Sequence, residues 1–297
     1  MHSSKKLNIL ITGCSDGGMG AALAAAFHHS GHHVFATTRD PSKMSSLAAQ
    51  GIETLAVDVT SAASVAAAVH AVSSSLPNGR GLDMLINNAG RGYTMPLMDV
   101  SLDEAKATFD LNVWAHIAVT QAFLPLLLRS ATAGRAPAVV NHTSVSSVAA
   151  LPFLGVYSSS KSALAMLTET LRFELAPLGV RVVELKTGNV RTNIISNLHG
   201  GSEKKLPAES VYAPAREIVE RSLRQEDFVD YGVPAERWAA EVSALLLARN
   251  PPAVVWKGEN AFLGWIGTIL PRGWLDGYIK KLSGLDKAEE ILKESRK

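Results

Sequence analysis

The chain has one cysteine, Cys14, so no internal disulfide can form. Charge is sparse and balanced. Lys and Arg number 29 and Asp and Glu 27, a net charge of +2 that gives no basis for a nucleic-acid partner. No stretch reaches the roughly 18 uninterrupted apolar residues of a membrane-spanning helix. No secretory leader is read: Met-His-Ser-Ser-Lys-Lys6 runs straight into an apolar strand, and the expected location is the cytoplasm. There is no internal repeat, linker or low-complexity tract beyond alanine-rich helices. Hydrophobic residues make up 47% of 297, enough for one large core.

Along the chain, short β-branched runs alternate with helical stretches. Strands are expected at Leu7–Ile11, His33–Thr38, around Leu55–Val59, at Leu85–Asn87, Ala138–His142, Val180–Leu185 and Ala253–Trp256. Helices are expected over 61–76, 101–129, 157–176, 215–226 and 234–249, with Pro125 distorting or dividing the second. Strands separated by helices predict an α/β fold: a single-domain Rossmann-type, doubly wound parallel sheet with helices on both faces. One catalytic domain spans 1–297, with a substrate lid at about 192–231 and an apolar C-terminal extension at about 259–297.

Four features carry chemistry. Tyr157 and Lys161 lie one helical turn apart, so phenol and ammonium share a face. A nearby cation favours phenolate, which would pull the tyrosine down from a pKa of about 10 and make it a usable proton donor or acceptor. Ser144, at the end of the preceding strand, would hold a carbonyl oxygen there. Near the amino terminus, the first strand runs into Thr12-Gly13-Cys14-Ser15-Asp16-Gly17-Gly18-Met19-Gly20 and then a helix. That order is the setting of a dinucleotide fingerprint, in which glycines admit a pyrophosphate to a helix N-terminus. The charge of Asp16 in this loop has no explanation in the sequence. At the end of strand two, Thr38 stands where an acid would bind an NAD ribose, and Arg39 follows it, a donor suited to the NADP 2′-phosphate. Further on, Asn87-Asn88-Ala89-Gly90 closes a strand with amides and small residues. Asp58, beside Val59, either accepts from an adenine amino group or caps the next helix.

Two other chemistries are set aside. His28, His29, His32 and His33 flank a turn without Cys or acidic company, so no metal site is expected. Ser144 lacks a nucleophile elbow, and His142 points to the opposite face of its strand, so no hydrolase triad is read.

The motifs TGxxxxGxG from Thr12 to Gly20, Asp58-Val59-Thr60, Asn87 to Gly90, Asn112, Ser144 and Tyr157 to Lys161 occur in an order that resembles the short-chain dehydrogenase/reductase family over about residues 7–260. Within it, the extra residue in the glycine loop, Leu185-Lys-Thr187-Gly188-Asn-Val190-Arg-Thr192 with Thr187 in place of the more usual proline, and the closing segment from Leu270 to Lys287 are similar to the fungal 1-acyl-dihydroxyacetone-phosphate-reductase-like subgroup. The resemblance implies a catalytic set of Ser144, Tyr157, Lys161 and Asn112, the last keeping a water in a relay to Lys161. It implies cofactor contacts at Gly13, Ser15, Gly18, Met19, Gly20, Arg39, Asp58, Val59, Asn88, Val190 and Thr192, besides Tyr157 and Lys161. The expected reaction is NADPH-dependent reduction of a carbonyl on a bulky lipophilic molecule, a lipid or secondary-metabolite intermediate. The alternatives are oxidation of a secondary alcohol by the same residues and a regulator that holds NADP(H) without turnover. A homo-oligomer is implied, paired through the helices carrying Asn112 and Tyr157. The apolar tail, with Trp265, Trp274 and Lys280-Lys281, has two readings: contact with a lipid droplet or endoplasmic reticulum membrane, or packing over the cleft or a partner subunit.

Overall fold

The computed structural model of the chain describes residues 6–76, 79–192, 204–228, 230–271 and 273–297. Seven parallel strands form one sheet: β1 (Asn8–Thr12), β2 (His33–Thr38), β3 (Glu53–Ala56), β4 (Met84–Asn87), β5 (Ala138–His142), β6 (Arg181–Thr187) and, last in the chain, Val254–Lys257. The order is β3-β2-β1-β4-β5-β6 and then Val254–Lys257. The chain therefore reverses direction across the sheet between β1 and β4. A crevice opens there at the carboxyl ends of the strands, where such folds bind ligands.

Strand residues alternate between two buried layers. Ile9 and Ile11 face Leu23 and Phe27 of α1 (Met19–His29) and Trp238 and Val242 of a later helix. Leu10, Leu85 and Val139 face Val72 of α3 (Ala62–Ser75) and Phe123 and Leu127 of α5 (Ala115–Thr132). A short α2 (Ser45–Ala49) follows β2. The third strand begins two residues earlier than its apolar run suggested, which leaves Asp58 and Val59 in the loop beyond it.

The helical region from α4 (Leu102–Phe109) into α5 is interrupted, though not at Pro125. A π-helical turn at Asp110–Trp114 joins the two helices, and α5 passes through Pro125 unbroken. Proline costs a helix about 3 kcal/mol. Phe123, Leu126 and Leu127 around it are almost wholly buried, each burial stabilising by about 1.5–3 kcal/mol, so packing outweighs the lost hydrogen bond. Taken together, α4, the π-helical turn and α5 (Leu102–Thr132) are long and apolar enough on average to cross a membrane, although no uninterrupted apolar stretch marks them. Half of their most apolar window is buried inside the fold.

After the sheet core, α6 (Gly155–Leu175) ends in a turn closed by Gly179 at φ 73°. A two-residue ladder pairs β7 (Val190–Arg191) with β8 (Val233–Pro234). Between them lies α7 (Arg216–Leu223), and α8 (Ala235–Leu246) supplies Trp238. With Val254–Lys257 numbered β9, the tail forms α9 (Ala261–Gly267), α10 (Asp276–Leu282) and α11 (Leu285–Glu294). A third core of Phe153, Leu206, Val219, Leu223 and Ala288 binds this half to the loop before α6. Of the expected lid, Gly200, Gly201 and Glu203 lie outside the described residues.

Candidate active site

Tyr157 sits in the first turn of α6 and Lys161 one turn further. The Lys161 Nζ lies 6.0 Å from the centre of the Tyr157 ring and donates to the carbonyl of His142 at 2.8 Å. Ser144 lies two residues beyond β5 and caps a short turn, its Oγ accepting from the Ser146 N–H (3.2 Å) and hydroxyl (2.9 Å). Both serine hydroxyls lie beside the phenol of Tyr157, where they favour its ionised form.

Burial sets the electrostatics. It pushes the Tyr157 phenol above its ordinary value, and the Ser144 and Ser146 hydrogen bonds only partly offset this. The expectation that Lys161 draws this pKa down is thereby corrected: loss of water around the phenol is the larger effect. Burial also lowers Lys161 to about 8. Two buried histidines flank the ammonium. His116 is brought down to about 3 and His142 well below the usual histidine range, by burial first and by the Lys161 charge second. Both are neutral at physiological pH, which leaves the ammonium as the cation beneath the phenol.

Asn112 lies in the π-helical turn. Its side chain donates to the Arg91 carbonyl (2.9 Å) and the Ser160 hydroxyl (3.0 Å) and accepts from the Arg91 N–H (2.9 Å), fixing the loop after β4 to α6.

The cofactor candidates gather at the carboxyl ends of β1, β2, β3, β4 and β6. Gly13 has φ 74°, and a Cβ there would stand 2.8 Å from the backbone of Ala89. Gly20 packs against the Gly13 carbonyl, with 2.4 Å left for a Cβ. Ser15 bonds the Thr38 hydroxyl at 3.2 Å. Gly18 caps α1 with no side-chain hydrogen bond, and the helix's first turn has no acid. Asp16 now has a local purpose: its carboxylate accepts from the Ser46 N–H and hydroxyl at the start of α2. Arg39 is exposed at the end of β2, close enough to Asp58 to help hold that carboxylate below its usual range. The larger cause is Thr60, which donates its hydroxyl and N–H to Asp58 Oδ1 (2.6 and 2.9 Å). The helix α3 is capped by Ser61 rather than Asp58. Val59 is buried beside it, and Thr192 follows β7. Asn88 donates to the carbonyls of Thr12 (2.8 Å) and Gly13 (2.9 Å).

Ser146, His142 and Thr187 form supports that motif spacing did not reveal. His142 Nδ1 donates to Asn88 Oδ1 (2.8 Å), and Nε2 accepts from the Thr187 hydroxyl (2.7 Å). The ring stacks on Trp238 at 5.5 Å. The threonine that replaces the usual proline thus fastens β6 to β5 and the glycine loop. Its departure from the motif was the available signal. Nothing marked His142 beyond its place two residues before Ser144. Two of the four N-terminal histidines have separate partners: His32 accepts from the Leu7 N–H (3.3 Å) and His33 pairs with Glu53 (3.0 Å). Among the described residues no three His, Cys, Asp or Glu gather as a metal site would need.

Tyr157, Ser144 and Lys161 open on a cavity of about 780 Å³. Met19, Asn88, Gly90 and Val190 line one side of it. Leu263, Leu270, Ile279 and Leu282 of the tail line the other, so the inner face of the tail packs over the cleft. The residues present fit a dinucleotide. An uncapped helix start faces the crevice, Asp16 is occupied with α2, and Gly90 leaves room beside Asn112 and Lys161: a Cβ there would stand 3.2 Å from Asn112 Oδ1 and 3.5 Å from Lys161 Nζ.

Known proteins resemble this chain over most of its length. A family profile described as short chain dehydrogenase matches residues 7–202. A short-chain dehydrogenase/reductase of Pestalotiopsis microspora is 46% identical over 98% of both chains. An NADPH-dependent 1-acyldihydroxyacetone phosphate reductase of Schizosaccharomyces pombe is 35% identical over 89% of both. A crystal structure of a short-chain dehydrogenase from Streptomyces avermitilis superposes with a TM-score of 0.75 at 26% identity, covering 97% of this chain and 98% of that one. The chain belongs to the short-chain dehydrogenase/reductase family. It is an oxidoreductase acting on a CH–OH/C=O pair of a small molecule.

Proposed function

We propose that the chain is an NADPH-dependent reductase that converts a ketone or aldehyde on a bulky lipophilic molecule to the alcohol. The observation that carries this reading is the Tyr157 hydroxyl. It lies beside the Ser144 and Ser146 hydroxyls and opens on an apolar-walled cavity, with the Lys161 ammonium beneath. A phenol raised by burial keeps its proton through the neutral range, which suits a donor to carbonyl oxygen. NADPH, when bound, supplies the hydride to the carbonyl carbon. Tyr157 gives its proton to the oxygen, and Ser144 orients that oxygen beforehand. The phenolate left behind is stabilised by the Ser144 hydroxyl, which Ser146 orients, and by the Lys161 charge, and Lys161 returns a proton through a water kept near Asn112. Gly13, Ser15, Gly18, Met19, Gly20, Asp58, Val59, Asn88, Val190 and Thr192 hold the dinucleotide, and Arg39 receives its 2′-phosphate. The NADPH dependence in the name of the fission-yeast relative supports that choice. Net alcohol oxidation by the same residues is the second reading, set by the cofactor ratio in the cell.

Replacing Tyr157 by Phe keeps the ring and removes the proton. Turnover should fall roughly a hundred- to ten-thousand-fold with NADPH affinity nearly unchanged. Steady-state kinetics beside a fluorescence titration of NADPH reads both, and full turnover in Tyr157→Phe rejects the assignment. Pairing through α4, α5 and α6 is supported by exposed Leu102, Trp114, Met166 and Phe173, and light scattering checks it. Contact of the tail with a lipid surface is supported by exposed Phe262, Ile269 and Trp274 on its outer side, and liposome flotation checks it.

A further inference from the structure

We infer that the substrate presents its carbonyl on an uncharged body, with no phosphate or carboxylate beside it. This rests on the reading that Tyr157 protonates a carbonyl, and it adds the charge class of the molecule. The cavity wall facing Tyr157 is built from Val148, Leu151 and Leu154 before α6 and from Leu263, Leu270 and Ile279 of the tail. Among the described lining residues only Arg91, Lys161 and Asp276 are charged. Arg91 is committed elsewhere: its Nε donates to the Thr108 hydroxyl (3.0 Å), and its Nη2 to the Glu104 carboxylate (2.6 Å) and carbonyl (2.9 Å). Lys161 is anchored on the His142 carbonyl and serves the phenol. Asp276 would repel an anion.

A smaller cavity of about 370 Å³ does carry Arg221, Lys281 and Lys287. It shares Leu151, Leu154 and Leu282 with the larger one, and Arg221 there is held by Asp227 at 2.6 Å. Those cations line the smaller cavity and are not among the residues that line the larger one. A phosphate next to the carbonyl would lose its water among leucines, with no uncommitted cation among the described lining residues to replace it, a penalty far larger than apolar contacts return. The fission-yeast relative is named for a phosphate ester. This chain, on the present inference, takes a different charge class through the same fold.

The test uses the full chain loaded with NADPH and two matched pairs. One is 1-acyl-dihydroxyacetone phosphate against 1-acyl-dihydroxyacetone; the other is a bicyclic aromatic ketone with and without a carboxylate beside the carbonyl. The neutral member should be favoured at least about tenfold in kcat/KM. It should also raise the melting temperature of the loaded protein where the anionic member does not. Leu263→Lys, which puts a cation in the wall, should narrow or reverse the preference. Equal or better use of the anionic member overturns the inference, as does the absence of any thermal shift with the neutral ketones. Arg272 lies outside the described residues, so Arg272→Ala is run alongside: anion use by the parent chain that this variant loses would locate the missing cation and equally overturn it. Neutral ketones that bind without NADPH oxidation would sink the reductase reading and leave the charge class standing.

Discussion

The two sides of the cavity are built by different physics. The cofactor side, from β1 to the start of β7, is held by buried and half-buried polar side chains with assigned partners: Asn88 on Thr12 and Gly13, His142 between Asn88 and Thr187, Asn112 between Arg91 and Ser160. The substrate side, from Leu206 to the carboxyl terminus, is held by apolar packing of short helices and leaves Phe262, Ile269 and Trp274 in solvent. A hydrogen-bond network fixes atoms to fractions of an ångström and tolerates little substitution, because each lost partner strands another buried polar group. An apolar wall can be redrawn residue by residue at modest expense. The contrast teaches why one scaffold keeps its chemistry while changing its substrates.

The sharpest way to break this contrast is to remove the charge on the rigid side. Lys161→Met should lower turnover roughly a hundred- to ten-thousand-fold. In the parent enzyme the pH dependence should show the same group. With Lys161 at about 8, reductive turnover should decline as pH rises through that value. Stability should move the other way. Burial lowers Lys161 from 10.5, so between about pH 8 and 10.5 the unfolded chain binds the proton that the folded one has released, and the folded state gains stability as pH rises. Kinetics and thermal melts over pH 7 to 10 read the two trends; turnover that holds steady through that interval removes Lys161 from its role.

A smaller effect is expected where the two sides meet. A Cβ on Gly188 would stand 2.0 Å from the Glu259 carbonyl, beside the Asn189–Glu259 bridge. Gly188→Ala should therefore force the backbones apart and destabilise by about 1–3 kcal/mol, lowering Tm and turnover together. An unchanged melt would mean that the tail yields without resistance. The smallest effect lies at the exposed rim of the rigid side. Arg39→Ala should reduce the NADPH-over-NADH preference by roughly five- to tenfold, and an unaltered ratio of kcat/KM values would take the 2′-phosphate away from Arg39.

The same division governs what could be read before the structure. The alternation of strands and helices along the chain, the glycine loop and the Tyr157–Lys161 turn follow from local pattern, since period and spacing dictate face and position. His33–Thr38 and Ala138–His142 emerge with the boundaries expected from their apolar runs. What depended on distant residues was not legible. Asp16 looked misplaced because its partners, Ser45 and Ser46, are 29 and 30 residues away. Pro125 suggested a break because burial of its neighbours does not show in spacing. His142 was discarded as a triad member, and its role as a neutral bridge required Asn88 and Thr187 in space. The tail left two readings open because an apolar stretch does not say what covers it; the structure gives its inner face to the cavity.

Transfer of label is the most direct measurement of the central claim. The full chain is incubated with a neutral lipophilic ketone and NADPH carrying deuterium at the transferable nicotinamide position, and the product alcohol is analysed by mass and NMR. Deuterium bound to the carbinol carbon, formed by the parent chain and lost in Tyr157→Phe, is the predicted result. An alcohol without deuterium, or the same labelled yield from the phenylalanine variant, contradicts it.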